Sequence, residues 1–207
     1  MTIIFSRPEL HIEYDLVWIV DGLPSDESKS FGLTVDVGNQ LRAAGYSFNL
    51  NYCTSEAALD RAIAQMQSAA LSGARFPVQL ICHGNKSGIA MGNDLKMWDT
   101  LRPHLEQLNA SMNGNLILNV TSCFGLYGLN TVAAGAKLFP FFGLFGSNRK
   151  LTVQEARDIN RRFYELWFAG TDLGKIVRVI NAERGDEVLF CGSAEGISQL
   201  RAQGSQP

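Results

Sequence analysis

Apolar and polar positions follow two rhythms along this chain. Short apolar runs occupy residues 16–20, 78–82 and 115–121, and between them apolar residues recur at three- and four-residue intervals. The first run closes on Asp21-Gly22 and leads into residues 24–30, which hold Asp26, Glu27 and Lys29 and read as a polar loop. Residues 34–44 carry a helical pattern that stops at Gly45, a common C-terminal signal. Residues 46–50 alternate like a half-buried or edge strand. Leu59, Ala62, Ile63, Met66 and Ala70 mark one face of a second helix, with Thr54 or Ser55 as its N-cap. The run at 78–82 ends on His83-Gly84, followed by a Gly/Asn-rich turn. Trp98, Leu101, Leu105, Leu108 and Met112 then line a helix over 94–112, in which Pro103 predicts a kink or a break. The run at 115–121 ends on Ser122-Cys123.

Past a glycine-rich stretch at 125–135, a short apolar run lies at 141–145, helical patterns at 153–167 and 173–182, a last strand at 188–191 and a frayed tail at 203–207. Strands alternating with helices predict an α/β fold of three αβα layers. Its central sheet is mostly parallel, with helices on both faces and right-handed crossovers. No internal repeat divides the chain, so residues 1–207 read as a single domain.

With 207 residues, 46% of them hydrophobic, the chain can build a full core without disulfide or metal staples. A net charge of -2 and no Lys/Arg block argue against nucleic acid or an anionic membrane as partner, leaving protein or peptide. The apolar stretches fall short of a membrane span and the start lacks a basic-then-apolar layout, so a cytoplasmic protein is expected. Cys53, Cys82, Cys123 and Cys191 show neither CxxC nor zinc spacing, and no metal or other cofactor is expected.

The chemistry concentrates at two strand ends. If the runs into His83 and Cys123 are parallel neighbours joined by one helix, an imidazole and a thiol emerge at the same sheet edge, where open α/β sheets build their sites. That is the minimum kit of a cysteine nucleophile and its base, with the N–H groups of Gly84 and Cys123 as oxyanion donors. Taken singly, His83 reads equally as a strand-end histidine bonded to a carbonyl, and Cys123 as a small buried thiol. His11 and His104 read as partly exposed structural residues.

The run into His83-Gly84, then Ser87-Gly88-Ile89, then the run into Thr121-Ser122-Cys123-Phe124-Gly125, together resemble the caspase-like cysteine peptidases of clan CD. Phe163-Tyr164, Trp167-Phe168-Ala169-Gly170 and Ile180-Asn181-Ala182 resemble the tail of the CHAT-domain branch, and the likeness covers most of residues 17–182. The resemblance implies an endopeptidase with His83 as general base and acid, Cys123 as nucleophile, and Gly84 with Cys123 forming the oxyanion hole. In that family the two residues act as a dyad, without a third orienting carboxylate. Thr121 stands where members that cut after basic residues often have an acid and caspases have glutamine. Asp21 occupies a place that commonly lines the S1 pocket, which implies a basic or small polar P1 side chain; a turn residue before glycine is an equal reading. No acidic cleavage linker is evident, so action as a single chain is expected. Compact microbial members are often effectors of defence or cell death, activated by a protein partner.

Other classes fit less well. The turn Asp21-Gly22-Leu23-Pro24-Ser25-Asp26 is neither GxGxxG nor a Walker loop, and Ser122 lacks a GxSxG frame. The remaining rival is a catalytically silent CHAT-like interaction module.

Overall fold

The computed structural model describes residues 14–204, so His11 and residues 205–207 lie outside the described part. Six strands form the central sheet: β1 (Leu16–Asp21), β2 (Ser47–Tyr52), β3 (Val78–Ile81), β7 (Ile117–Thr121), β8 (Gly143–Ser147) and β9 (Leu189–Ser193), in the order β2-β1-β3-β7-β8-β9. All neighbours are parallel except β8 and β9. Three shorter strands, β4 (His83–Asn85), β5 (Gly88–Met91) and β6 (Asp94–Met97), form a separate antiparallel sheet directly after β3.

Helices cover both faces of the central sheet. On one face α3 (Glu56–Leu71), α4 (Trp98–Ser111) and α7 (Ala194–Gly204) pack with Trp18, Val20, Leu80, Leu118 and Val120. On the other, α2 (Leu33–Ala43), α5 (Val153–Phe168) and α6 (Leu173–Arg184) pack with Val17, Ile19, Ile81 and Phe145. The alternation of side chains along each strand thus divides one sheet between two cores. The architecture is the three-layer α/β fold that the hydrophobic pattern predicts.

The differences from the sequence reading have local causes. Residues 24–30 are no loop: α1 (Ser25–Phe31) forms there, ended by Gly32 at φ 66°. Its only buried residue is Ser28, so no apolar stripe announces it. The turn after His83 is the β4-β5-β6 sheet, whose strands of three or four residues are too short to show a period. Asn85 Oδ1 accepts from the N–H groups of Ser87 and Gly88 and closes its first hairpin. Pro103 sits inside an unbroken α4, and Gln203 belongs to α7 rather than to a frayed tail. Ser55 is the α3 cap, accepting from the Ala58 N–H at 3.3 Å. A Gly/Leu-rich 3-10 helix, Gly125–Thr131, follows β7.

Candidate active site

The carboxyl ends of β1, β3 and β7 meet at one edge of the sheet. β3 and β7 are adjacent and parallel, with Val78 opposite Leu118 and Ile81 opposite Thr121. Two residues further on, the strands deliver His83 and Cys123. Contact between the two segments is tight. A Cβ on Gly84 would lie 2.7 Å from Cys123 O and 3.0 Å from Ser122 Oγ, closer than a methyl group can sit, so only glycine lets the backbones approach this way.

Each side chain finds its partner on the α1/α5 side of the sheet. His83, half of whose side chain is solvent-exposed, places Nε2 at 2.5 Å from Glu27 Oε2 on α1. Its Nδ1 has no partner among the described residues. Cys123 is partly exposed, its Sγ accepting from the Leu151 N–H at 3.4 Å and donating to Leu151 O at 3.7 Å. Leu151 immediately precedes Thr152, the N-cap of α5. A thiolate keeps the amide contact and loses only the weaker bond in which the thiol donates.

The backbone around Cys123 is also specialised. Ser122 N–H donates to Val120 O and Phe124 N–H to Arg149 O, whereas the Cys123 N–H carries no acceptor among the described residues. Phe124 holds φ 59°, a left-handed conformation that is sparse for a bulky residue and turns the chain sharply beside the thiol. Lys86 at the β4-β5 hairpin stands over the rings of Phe124 and Tyr127, at 5.9 and 5.4 Å. An ion-pair network steadies the Leu151 side. Arg149 contacts Glu155 and Asp186 at 2.8 and 2.6 Å, and Arg184 contacts the same two carboxylates at 2.7 and 3.1 Å. The Arg149 guanidinium, with the Thr152 N–H, holds the Glu155 carboxyl down at about 2.

The other three cysteines are buried. Burial, reinforced by Asp21, pushes Cys53 up to about 11; burial does the same for Cys191 and drives Cys82 higher still. All three are protonated and shielded at neutral pH, as expected for structural cysteines.

The two S1 candidates take other places. Asp21 is fully buried: its Oδ2 accepts from Ser28 Oγ and Thr34 Oγ1, each at 2.6 Å, and its Oδ1 from the Leu23 N–H at 3.0 Å. Its carboxylate is consumed in fastening α1 and α2 to the end of β1, so it faces no substrate. Thr121 is likewise interior. Its Oγ1 accepts from Gln79 Nε2 at 2.8 Å and donates to Asn160 Oδ1 at 2.7 Å, while Tyr164 OH donates to Gln79 Oε1 at 2.9 Å. Thr121 therefore knits β3, β7 and α5 together instead of lining a pocket. Glu27, which sequence reasoning placed in a polar loop after Asp21, lies on α1 against His83, a contact that reading did not foresee. Its acidity was visible, but only the folding of α1 brings it to His83.

A cavity of about 380 Å³ between α6 and β9 is lined by Val177, Arg178, Asn181, Asp186 and Cys191 among others, and contains neither His83, Cys123 nor Glu27. Among the described residues, no group of three or more His, Cys, Asp or Glu side chains could hold a metal ion, and no helix is long and apolar enough to cross a membrane.

A scan against protein-family models and a search of curated proteins each find no match to the sequence. Solved structures do match. Caspase-1 from Spodoptera frugiperda superimposes with a TM-score of 0.63 at 12% sequence identity, covering 94% of this chain and 93% of its own. At that identity the likeness concerns the fold alone, which is shared with this caspase.

Proposed function

We propose that this protein is a cysteine endopeptidase that cuts peptide bonds in a specific protein substrate, with Cys123 as nucleophile and His83 as general base and acid. The carrying observation is the seam in which Gly84 lies against the Ser122-Cys123 backbone at the shared end of two adjacent parallel strands. In the reaction, His83 takes the Cys123 proton as Sγ adds to the scissile carbonyl carbon. The oxygen that becomes negative is held by the N–H groups of Gly84 and Cys123. His83 then returns the proton to the leaving amine, and a thioester remains on Sγ. A water molecule, deprotonated by His83, adds to the thioester; the acid product leaves and the thiol is restored.

The partial exposure of Cys123, against three buried cysteines, supports the assignment of the nucleophile. So does the free Cys123 N–H. We assign the chain to the CHAT-like branch, acting in the cytoplasm as a defence or cell-death effector that a protein partner activates. The branch rests on the motifs around His83, Cys123 and the α5–α6 region, and the role and its activating partner on analogy with compact microbial members. Since Asp21 and Thr121 are both satisfied internally, P1 choice falls to other residues at this edge.

Peptide acyloxymethyl ketones, which alkylate an active thiol only after binding as substrates, test the reading. Cys123 should be labelled in the wild type at rates that depend on the peptide sequence, and not in His83→Ala. Labelling indifferent to peptide sequence and to His83 would instead identify the silent interaction module.

A further inference from the structure

Resting on the peptidase reading, we infer that Glu27 is the positioning residue of His83, converting the pair into a Cys123–His83–Glu27 relay. Glu27 Oε2 lies 2.5 Å from His83 Nε2. An ionised carboxylate can only accept, so this contact places the neutral ring's proton on Nε2 and leaves Nδ1 as the basic nitrogen. Nδ1 is also the nitrogen without a partner among the described residues, and hence the one open to the Cys123 proton. Glu27 would act through the ring, fixing tautomer and orientation as the third member of a triad does.

The support for Glu27 is itself built into the fold. Its neighbour Ser28 donates to Asp21 Oδ2, and Thr34 at the start of α2 donates to the same atom. Pro24 and the left-handed Gly32 bound α1 on either side. The buried Asp21 thus serves the site indirectly, holding the short helix that carries Glu27 at the carboxyl ends of β1 and β3. These two strands flank the switch point of the sheet, where β1 leads outward to β2 on one side and borders β3 on the other.

The test compares wild type, Glu27→Gln, Glu27→Ala and His83→Ala as full chains. Long-range 1H-15N spectra of 15N-histidine protein report the tautomer of His83, and iodoacetamide labelling reports the reactivity of Cys123. The wild type should hold the Nε2–H tautomer. Glu27→Gln, whose amide oxygen still accepts, should retain it with a small loss of rate. Glu27→Ala should lose the tautomer bias and slow labelling by about 10–100-fold. The proposal is overturned if Glu27→Ala keeps the wild-type tautomer. It is also overturned if Glu27→Ala labels at the wild-type rate while the wild type outpaces His83→Ala. If wild type and His83→Ala label alike, the peptidase reading fails instead, and the tautomer comparison decides the Glu27 contact by itself.

Discussion

Replacing Gly84 by alanine puts one methyl group into the seam between the two reactive segments. The new carbon would stand 2.7 Å from Cys123 O, 3.0 Å from Ser122 Oγ and 3.2 Å from Ser122 Cβ. Carbon and carbonyl oxygen approach to about 3.3 Å even in favourable contacts, so the seam must open by about 0.6 Å against Cys123 O. Gly84 does not hold a positive φ, so the whole effect comes from this collision. Overpacking of this kind costs about 1–3 kcal/mol, and for a chain of this size each kcal/mol lowers Tm by about 2–4 °C. The effect on chemistry is larger. A misplacement of about 1 Å can cost about 100-fold in rate, so an opening of roughly half that should slow labelling of Cys123 by about 10-fold or more. Thermal unfolding by circular dichroism and timed alkylation of Cys123, read by peptide mass mapping, measure the two effects on one preparation. A Gly84→Ala protein with wild-type Tm and wild-type alkylation would refute the packing of these two segments.

Three further outcomes follow from the contacts around the site. Thr121→Val removes the hydroxyl between Gln79 and Asn160 while preserving shape; it should cost about 1–3 kcal/mol in urea unfolding and leave peptide selectivity unchanged, whereas altered P1 preference without loss of stability would return Thr121 to the pocket. The depressed Glu155 and Asp186 carboxyls contribute stability that is present above their unfolded values, near 4.5 for Glu155, and lost as pH falls, for Glu155 through about 2. Urea midpoints should therefore drop across that window more steeply in wild type than in Arg149→Met, and identical slopes would contradict the network. Phe124→Gly relieves the left-handed residue beside Cys123 and should not lower Tm through backbone strain, yet should slow alkylation by loosening the turn; a rate equal to wild type would show that the conformation serves packing only.

The strands that carry the chemistry could be read from sequence because burial on both faces demands continuous apolar runs, and those at 16–20, 78–82 and 115–121 became β1, β3 and β7. The helices α3 and α5 were visible through the spacing of Leu59 and Met66, and of Ile159 and Phe163. Elements held by polar contacts were not. The short α1 is fastened by Ser28 to a carboxylate seven positions earlier, an interaction without periodicity. The S1 alternative for Asp21 and Thr121 could not be separated from a structural role for a related reason: a polar residue at a strand end looks the same in sequence whether it meets solvent or a buried hydroxyl or amide, and Asp21 takes the turn role that was its equal reading. Only the packing of α1, α2 and α5 over the strand ends decides which. The contact between Glu27 and His83 spans 56 residues and depends on that same packing.

The central claim is that the Cys123 thiol and the His83 imidazole act as one proton-exchanging pair. The pH dependence of iodoacetamide labelling, resolved by cysteine and compared between wild type and His83→Ala, tests it most directly. Cys123 should react far ahead of Cys53, Cys82 and Cys191, with a rate that falls by about 100-fold or more at neutral pH once His83 is removed. A Cys123 rate and pH profile that do not change when His83 is lost would contradict the account.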